Sequence, residues 1–174
     1  MTHRKNPSGC FLTCLINVFF IFTRLSQIFY YVQYIKFKSI DLKFEEHVCF
    51  NGFGDDNITS VSDTVAPWFN RNVIFKYMKE VFGIICTAPD KSEVVTDFDS
   101  WGSADLLKRK FRFEDPYVWA PIEENSILKS LLFTDKKFPD KESVVEHYEQ
   151  VLRAANLEYS MHGKEKYDWF VDQF

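Results

Sequence analysis

The chain has 174 residues, 46% hydrophobic and 18% aromatic, enough for a packed core in one domain or two small ones and incompatible with disorder or low complexity. Its 25 acidic and 21 basic residues leave a net charge of −4, unevenly spread: residues 1–43 carry +5 and the remainder −9. A basic knot, Lys108-Arg109-Lys110 with Arg112, lies inside the acidic part, so overall acidity does not exclude a nucleic-acid path along clustered cations.

Pro7-Ser8-Gly9 has turn chemistry and closes an N-terminal loop. A long helix is predicted over about 10–36, held by packing because its Phe and Ile content lowers intrinsic propensity. Its first part, Cys10 to Phe22, is nearly all apolar but broken by Thr13 and Asn17, and Arg24 and Gln27 follow. The run falls short of the ~20 apolar residues of a membrane span, so a buried helix in a soluble fold is expected and no stable membrane span. The four cysteines, Cys10, Cys14, Cys49 and Cys86, show no zinc spacing and read as buried thiols of a reducing compartment.

Two β-prone runs, 47–53 and 58–62, flank Gly54-Asp55-Asp56-Asn57 and predict a hairpin with both carboxylates at a tight turn. Adjacent carboxylates are costly there unless a cation neutralises them, and oxygen-only ligands suit Mg²⁺ or Mn²⁺. A helix over about 69–81 is expected, capped near Asp63 or Thr64, with Val73, Ile74, Tyr77 and Val81 on its inner side and Gly83 as its stop. A second hairpin is predicted over about 98–113, and Pro116 and Pro121 mark a boundary. Beyond it the period is helical. Ile122, Ile127, Leu128, Leu131 and Leu132 form one stripe, and Val144, Val145, Tyr148, Val151, Leu152 and Ala155 another. A short helix over about 163–171 ends the chain. Trp68, Trp101, Trp119 and Trp169 read as core residues rather than base-stacking platforms.

These motifs together resemble, in order, those of the RNA-dependent RNA polymerases of positive-strand picorna-like viruses, with the insect-infecting branch as the nearest likeness. Pro7-Ser8-Gly9 with Thr13 and Asn17 is similar to motif B. Phe53-Gly54-Asp55-Asp56-Asn57 is similar to motif C, with Phe where Tyr is usual. Phe82-Gly83 and the Thr87-to-Lys91 segment resemble motif D, and Leu107-Lys108-Arg109 with Phe111 resembles motif E. Trp119 to Ile127 and His162-Gly163-Lys164 resemble thumb segments.

The resemblance implies an α+β fold: a partial right-hand palm with an antiparallel hairpin over residues 1–115, then helical thumb over 116–174. It implies two Mg²⁺ (or Mn²⁺) ions, with Asp55 as ligand and Asp56 supporting it. It implies that Ser8 and Gly9 shape the nucleotide site and that Thr13 and Asn17 select ribose. Lys91 would donate a proton to departing pyrophosphate, and Lys108, Arg109 and Arg112 would hold the RNA backbone. Partners would be an RNA template, a primer or product strand and ribonucleoside triphosphates. The setting would be the host cytoplasm, in a viral replication complex with membranes as one possible site. The family also uses a motif A aspartate and fingers from upstream polyprotein, so the chain alone is expected not to polymerise RNA. A non-catalytic viral remnant with residual RNA binding is the alternative. A small membrane protein built on residues 10–35 is a third reading that the ordered motifs disfavour. The segment from Ile35 to Glu46 lengthens the usual spacing and could carry Lys36, Lys38 and Lys43 toward RNA.

Overall fold

A computed structural model describes residues 12–87 and 96–173. They fall into two compact units, one ending at Asp99 and the other beginning at Ser100. Antiparallel hairpins and helices make up both, as the α+β expectation required.

The first unit is organised by helix α1, Thr13–Phe37. Its C-terminal half supplies Leu25, Ile28, Phe29 and Val32 to the core. Phe29 is fully buried, and the rings of Tyr30, Phe44, Trp68 and Phe69 surround it at 5.1–5.6 Å between centroids. Such tilted and edge-on contacts add to plain apolar burial. The N-terminal half differs. Leu15, Ile16, Phe19 and Phe20 are exposed and line an open apolar groove, with Phe19 72% accessible. The helix is long and apolar enough to cross a membrane by length and composition, while its second half is committed to this core.

Lys38 ends α1 in the left-handed conformation, and its N–H bonds to the Tyr34 carbonyl. The connection beyond is clipped back by Gln33, which is 1% exposed. Its amide donates to the Leu42 carbonyl at 3.0 Å and accepts from the Leu42 N–H at 2.8 Å. A buried amide satisfied by one residue's whole backbone is a strong local fastener. A single-turn helix α2, Phe44–His47, buries Phe44 and leads into strand β1, Val48–Phe53, which pairs antiparallel with β2, Asp56–Val61.

Helix α3, Arg71–Phe82, starts two residues later than expected. Its cap is Asn70, whose side chain accepts from the Val73 N–H at 3.1 Å; Asp63 and Thr64 instead lie in a turn, where the Ser62 carbonyl accepts from Val65 and Ala66. Of the expected inner stripe, Val73, Ile74 and Tyr77 pack against the core; Val81 is exposed instead, and Met78, which the stripe omitted, is the buried residue. Gly83 stops the helix as expected, at φ 68°.

In the second unit the expected single hairpin is two. Strand β3, Asp105–Leu106, pairs with β4, Arg109–Lys110, and β5, Arg112–Glu114, pairs with β6, Tyr117–Trp119. No strand runs from 98 because residues 100–104 form a turn, in which the Ser100 carbonyl accepts from the Ser103 and Ala104 N–H groups. The 115/116 junction falls in the turn of the second hairpin, where Pro116 has no N–H to give.

Helices α4 (Glu124–Leu132), α5 (Lys141–Ser160) and α6 (Lys164–Gln173) follow. Asp140 caps α5, accepting from the Ser143 N–H at 2.7 Å, and its carboxyl is held below the usual range by that bond. Ile127, Ala155, Tyr159 and Phe170 form the core, with Tyr159 stacked on Phe170 at 4.3 Å. Only part of each expected stripe is used. Val145, Tyr148 and Leu152 are exposed, as is Leu132, because α4 and α6 meet α5 toward its C-terminal half.

Two further expectations are corrected. Cys49 is exposed, since it lies on the outer side of the alternating strand β1. Of the tryptophans only Trp68 is core; Trp101 and Trp169 are about half exposed and Trp119 is intermediate. Trp101 packs against Phe111 and Phe113 on the hairpins instead.

Candidate catalytic hairpin and nucleic-acid interface

The β1–β2 hairpin alternates cleanly. Val48, Phe50 and Gly52 turn inward, whereas Cys49, Asn51 and Phe53 turn outward. The Phe50 ring lies over Gly52 so closely that a Cβ there would meet it at 2.7 Å. The ladder closes at Phe53↔Asp56, leaving Gly54 and Asp55 as a two-residue loop. Gly54 takes φ 68°, which this kind of loop demands at its first position.

The expected pair of turn carboxylates is thus split: Asp55 sits in the loop and Asp56 is the first residue of β2. Both are exposed, and among the described residues neither side chain has a hydrogen bond or ion pair. Two adjacent hard oxygen donors open to solvent fit part of a shell for Mg²⁺ or Mn²⁺. No group of three or more His, Cys, Asp or Glu side chains completes such a shell among the described residues.

Thr13 and Asn17 lie one turn apart on the first part of α1, both half-buried. Ser8, Gly9, Cys10 and Lys91 lie outside the described residues. Residues 96–99, which follow the Lys91 segment, are tied to α3: the Arg71 guanidinium bonds Asp99 and Thr96, the Arg71 N–H bonds the Asp97 carbonyl at 3.2 Å, and Asn72 bonds the Asp97 carboxylate at 2.7 Å. Lys36, Lys38 and Lys43 are exposed, and Lys43 pairs with Glu46 at 3.0 Å.

The basic knot of the second unit is divided in its use. Lys108, at the β3–β4 turn, is exposed, and its ammonium has no partner among the described residues; Lys110 is exposed on β4. Arg109 is bidentate to Glu158 at 2.6 and 2.9 Å and also donates to the Ala120 carbonyl at 2.7 Å. The hydrogen bond between them raises the Arg109 guanidinium above its ordinary value and lowers the Glu158 carboxyl. Arg112 donates from Nε to the Met161 carbonyl at 3.0 Å and pairs with Glu114 at 2.7 Å. Sequence reasoning grouped the three cations by adjacency. It missed Glu158, which nothing local to the knot signals.

A family profile described as viral RNA-dependent RNA polymerase matches residues 2–174. The chain is 28% identical over 149 residues to the RNA1 polyprotein of Broad bean wilt virus 2, covering 84% of this chain and 8% of that protein. It is 33% identical over 138 residues to the RNA1 polyprotein of Beet ringspot virus, covering 78% and 6%. It is 30% identical over 127 residues to the replicase polyprotein of Cricket paralysis virus, covering 72% and 7%. The chain therefore spans less than a tenth of the curated relatives it matches. Their names include bean, beet and cricket viruses at comparable identity, giving the insect-infecting branch no preference.

Proposed function

The chain belongs to the viral RNA-dependent RNA polymerases, and from that premise we propose that it is a polymerase segment for viral RNA replication, with residues 1–115 as palm and 116–174 as thumb. The reading extends an RNA 3′-hydroxyl by template-directed transfer of ribonucleotides from triphosphates. The observation that carries it is the β1–β2 hairpin, whose glycine turn holds Asp55 and Asp56 open to solvent.

In this reading Asp55 ligates metal and Asp56 supports it. Two bound Mg²⁺ (or Mn²⁺) ions would activate the 3′-hydroxyl and neutralise the leaving pyrophosphate. The remaining carboxylate and the fingers would come from another stretch of the same polyprotein. Thr13 and Asn17 sit one helical turn apart, so both can reach one sugar, and a small polar network distinguishes a 2′-hydroxyl, which both donates and accepts. Ser8 and Gly9 would shape the nucleotide pocket, and Lys91 would hand a proton to pyrophosphate. Lys108 would contact backbone phosphate, with Arg109 and Arg112 beside it. The expected setting is a cytoplasmic replication complex.

The test begins with the RNA sequence preceding the Met1 codon. An in-frame aspartate-bearing strand and fingers region would supply the rest of the catalytic site. Primer extension by that longer protein should then be abolished by Asp55→Asn, and near-normal extension would sink the metal-ligand assignment. A stop codon or host flanking sequence would favour the non-catalytic remnant, which accords with the incomplete donor set among the described residues.

A further inference from the structure

The β3–β4 turn is built in an unfavourable way. Leu107 and Lys108 both have positive φ, 55° and 61°. Two-residue loops with that geometry favour Asn-Gly, and side chains larger than these are strained there. Such a turn persists only when its surroundings over-determine it. Here they do. The Glu123 N–H bonds the Lys108 carbonyl at 2.9 Å, and the Lys110 N–H bonds the Pro121 carbonyl at 3.2 Å. Arg109 pairs with Ile122 in an isolated antiparallel bridge, so residues 121–123 lie hydrogen-bonded along β4 and its turn.

The side chains continue the same anchoring. Arg109 reaches from the foot of the turn to Glu158 on α5 and to the Ala120 carbonyl. Glu158 lies in the last turn of α5, where the helix dipole disfavours a carboxylate and that turn carries no basic residue to offset it. Arg109 provides that cation. Arg112 donates to the Met161 carbonyl just past the same helix end, and His162 donates from Nε2 to the Ile122 carbonyl at 2.9 Å. The C-terminus of α5 is therefore clamped to both hairpins and to the 120–122 segment.

Resting on the polymerase reading, we infer that Glu158 is a positioning residue for the nucleic-acid contact: it commits Arg109 to the fold, and the turn so held presents Lys108 to phosphate. Arg109 acts through Glu158 and does not touch RNA. Adjacency in sequence suggested three equivalent cations, whereas the geometry gives them different tasks.

The experiment uses the full chain and a short fluorescein-labelled RNA duplex with a recessed 3′ end, read by anisotropy across a KCl series. Lys108→Ala should weaken binding and lower the slope of log affinity against log salt by about 0.9, the loss of one phosphate contact. Arg109→Glu and Glu158→Arg should each weaken binding. The double swap, Arg109→Glu with Glu158→Arg, should restore affinity to within about twofold and recover the original slope, because it remakes the pair. A swap as weak as Arg109→Glu alone would overturn the inference, since it would mean that Arg109 meets phosphate directly. Glu158→Gln provides a milder check if the swap misfolds by circular dichroism. Positioning demands weaker binding, whereas merely removing a negative charge near RNA would strengthen it. Absence of RNA binding by the unaltered chain would strike the polymerase reading itself, and this inference with it. Binding that the swap fails to restore would strike the inference alone.

Discussion

Two of the hairpins, β1–β2 in the first unit and β3–β4 in the second, close on two-residue turns that need positive φ, and they meet that need oppositely. The β1–β2 turn uses Gly54, for which positive φ is cheap, and leaves Asp55 and Asp56 without side-chain partners among the described residues. The β3–β4 turn uses Leu107 and Lys108, for which positive φ is costly, and surrounds them with anchors from 121–123 and α5. In the proposed roles, a turn that offers carboxylates to a cation is served by a relaxed backbone and open side chains, and a turn that offers a long cationic side chain to phosphate by a backbone held by its neighbours. The chemistry of the first is visible in three consecutive residues. That of the second depends on Glu158, 49 positions away.

The largest expected effect breaks the first hairpin's role. In the complete polymerase, Asp55→Asn should lower primer extension by about a thousandfold or more, the loss of a metal ligand being worth several kcal/mol. With the chain alone, Mn²⁺ should broaden the amide NMR signals of Gly54 to Asn57 in the unaltered protein and not in Asp55→Asn. Next comes the scaffold beneath that hairpin. Gln33→Ala removes both bonds to Leu42 and should cost ~3 kcal/mol in a thermal or urea melt followed at Trp68.

Sharpening the comparison requires making the second turn resemble the first. Leu107→Asn with Lys108→Gly should stabilise the second unit by about 1 kcal/mol by relieving positive φ. The same change should weaken RNA binding, because Lys108 is gone. A stabilised variant with undiminished RNA binding would remove Lys108 from the interface.

The smallest effect is a pH dependence. Burial holds the His162 imidazole below its ordinary value, against the opposing pull of the Ile122 carbonyl. The unfolded chain therefore takes up this proton first. Stability is full above the ordinary imidazole range and is lost as pH falls through it toward the lower folded value. Glu158, lowered chiefly by its bond to Arg109, adds a second loss further into acid, as pH falls through its folded value. The melt of the second unit should decline as pH falls through the ordinary imidazole range and below it, and His162→Gln should flatten that decline. An unchanged slope would show that His162 is not the group responsible.

Much of the candidate site was legible locally. The Gly-Asp-Asp turn between β-prone runs, the long apolar helix, the glycine stop of α3 and the short final helix all follow from nearest-neighbour chemistry and periodicity. The cap of α3 was misread because Asp63, Thr64 and Asn70 are all competent cap residues, and the choice fell to a turn organised by the Ser62 carbonyl. The α5 stripe was misread because periodicity identifies an apolar face without saying how far along the helix its neighbours reach.

By itself, then, the sequence determined the long helices, the first hairpin and the residue types at its turn, because backbone preference and side-chain period act over a few residues. Tertiary structure alone decided that Arg109 is bound to Glu158 and that Lys108 is left exposed. Those outcomes depend on groups brought together across long stretches of chain, where Coulomb attraction and hydrogen bonding depend on distance in space rather than on order in sequence.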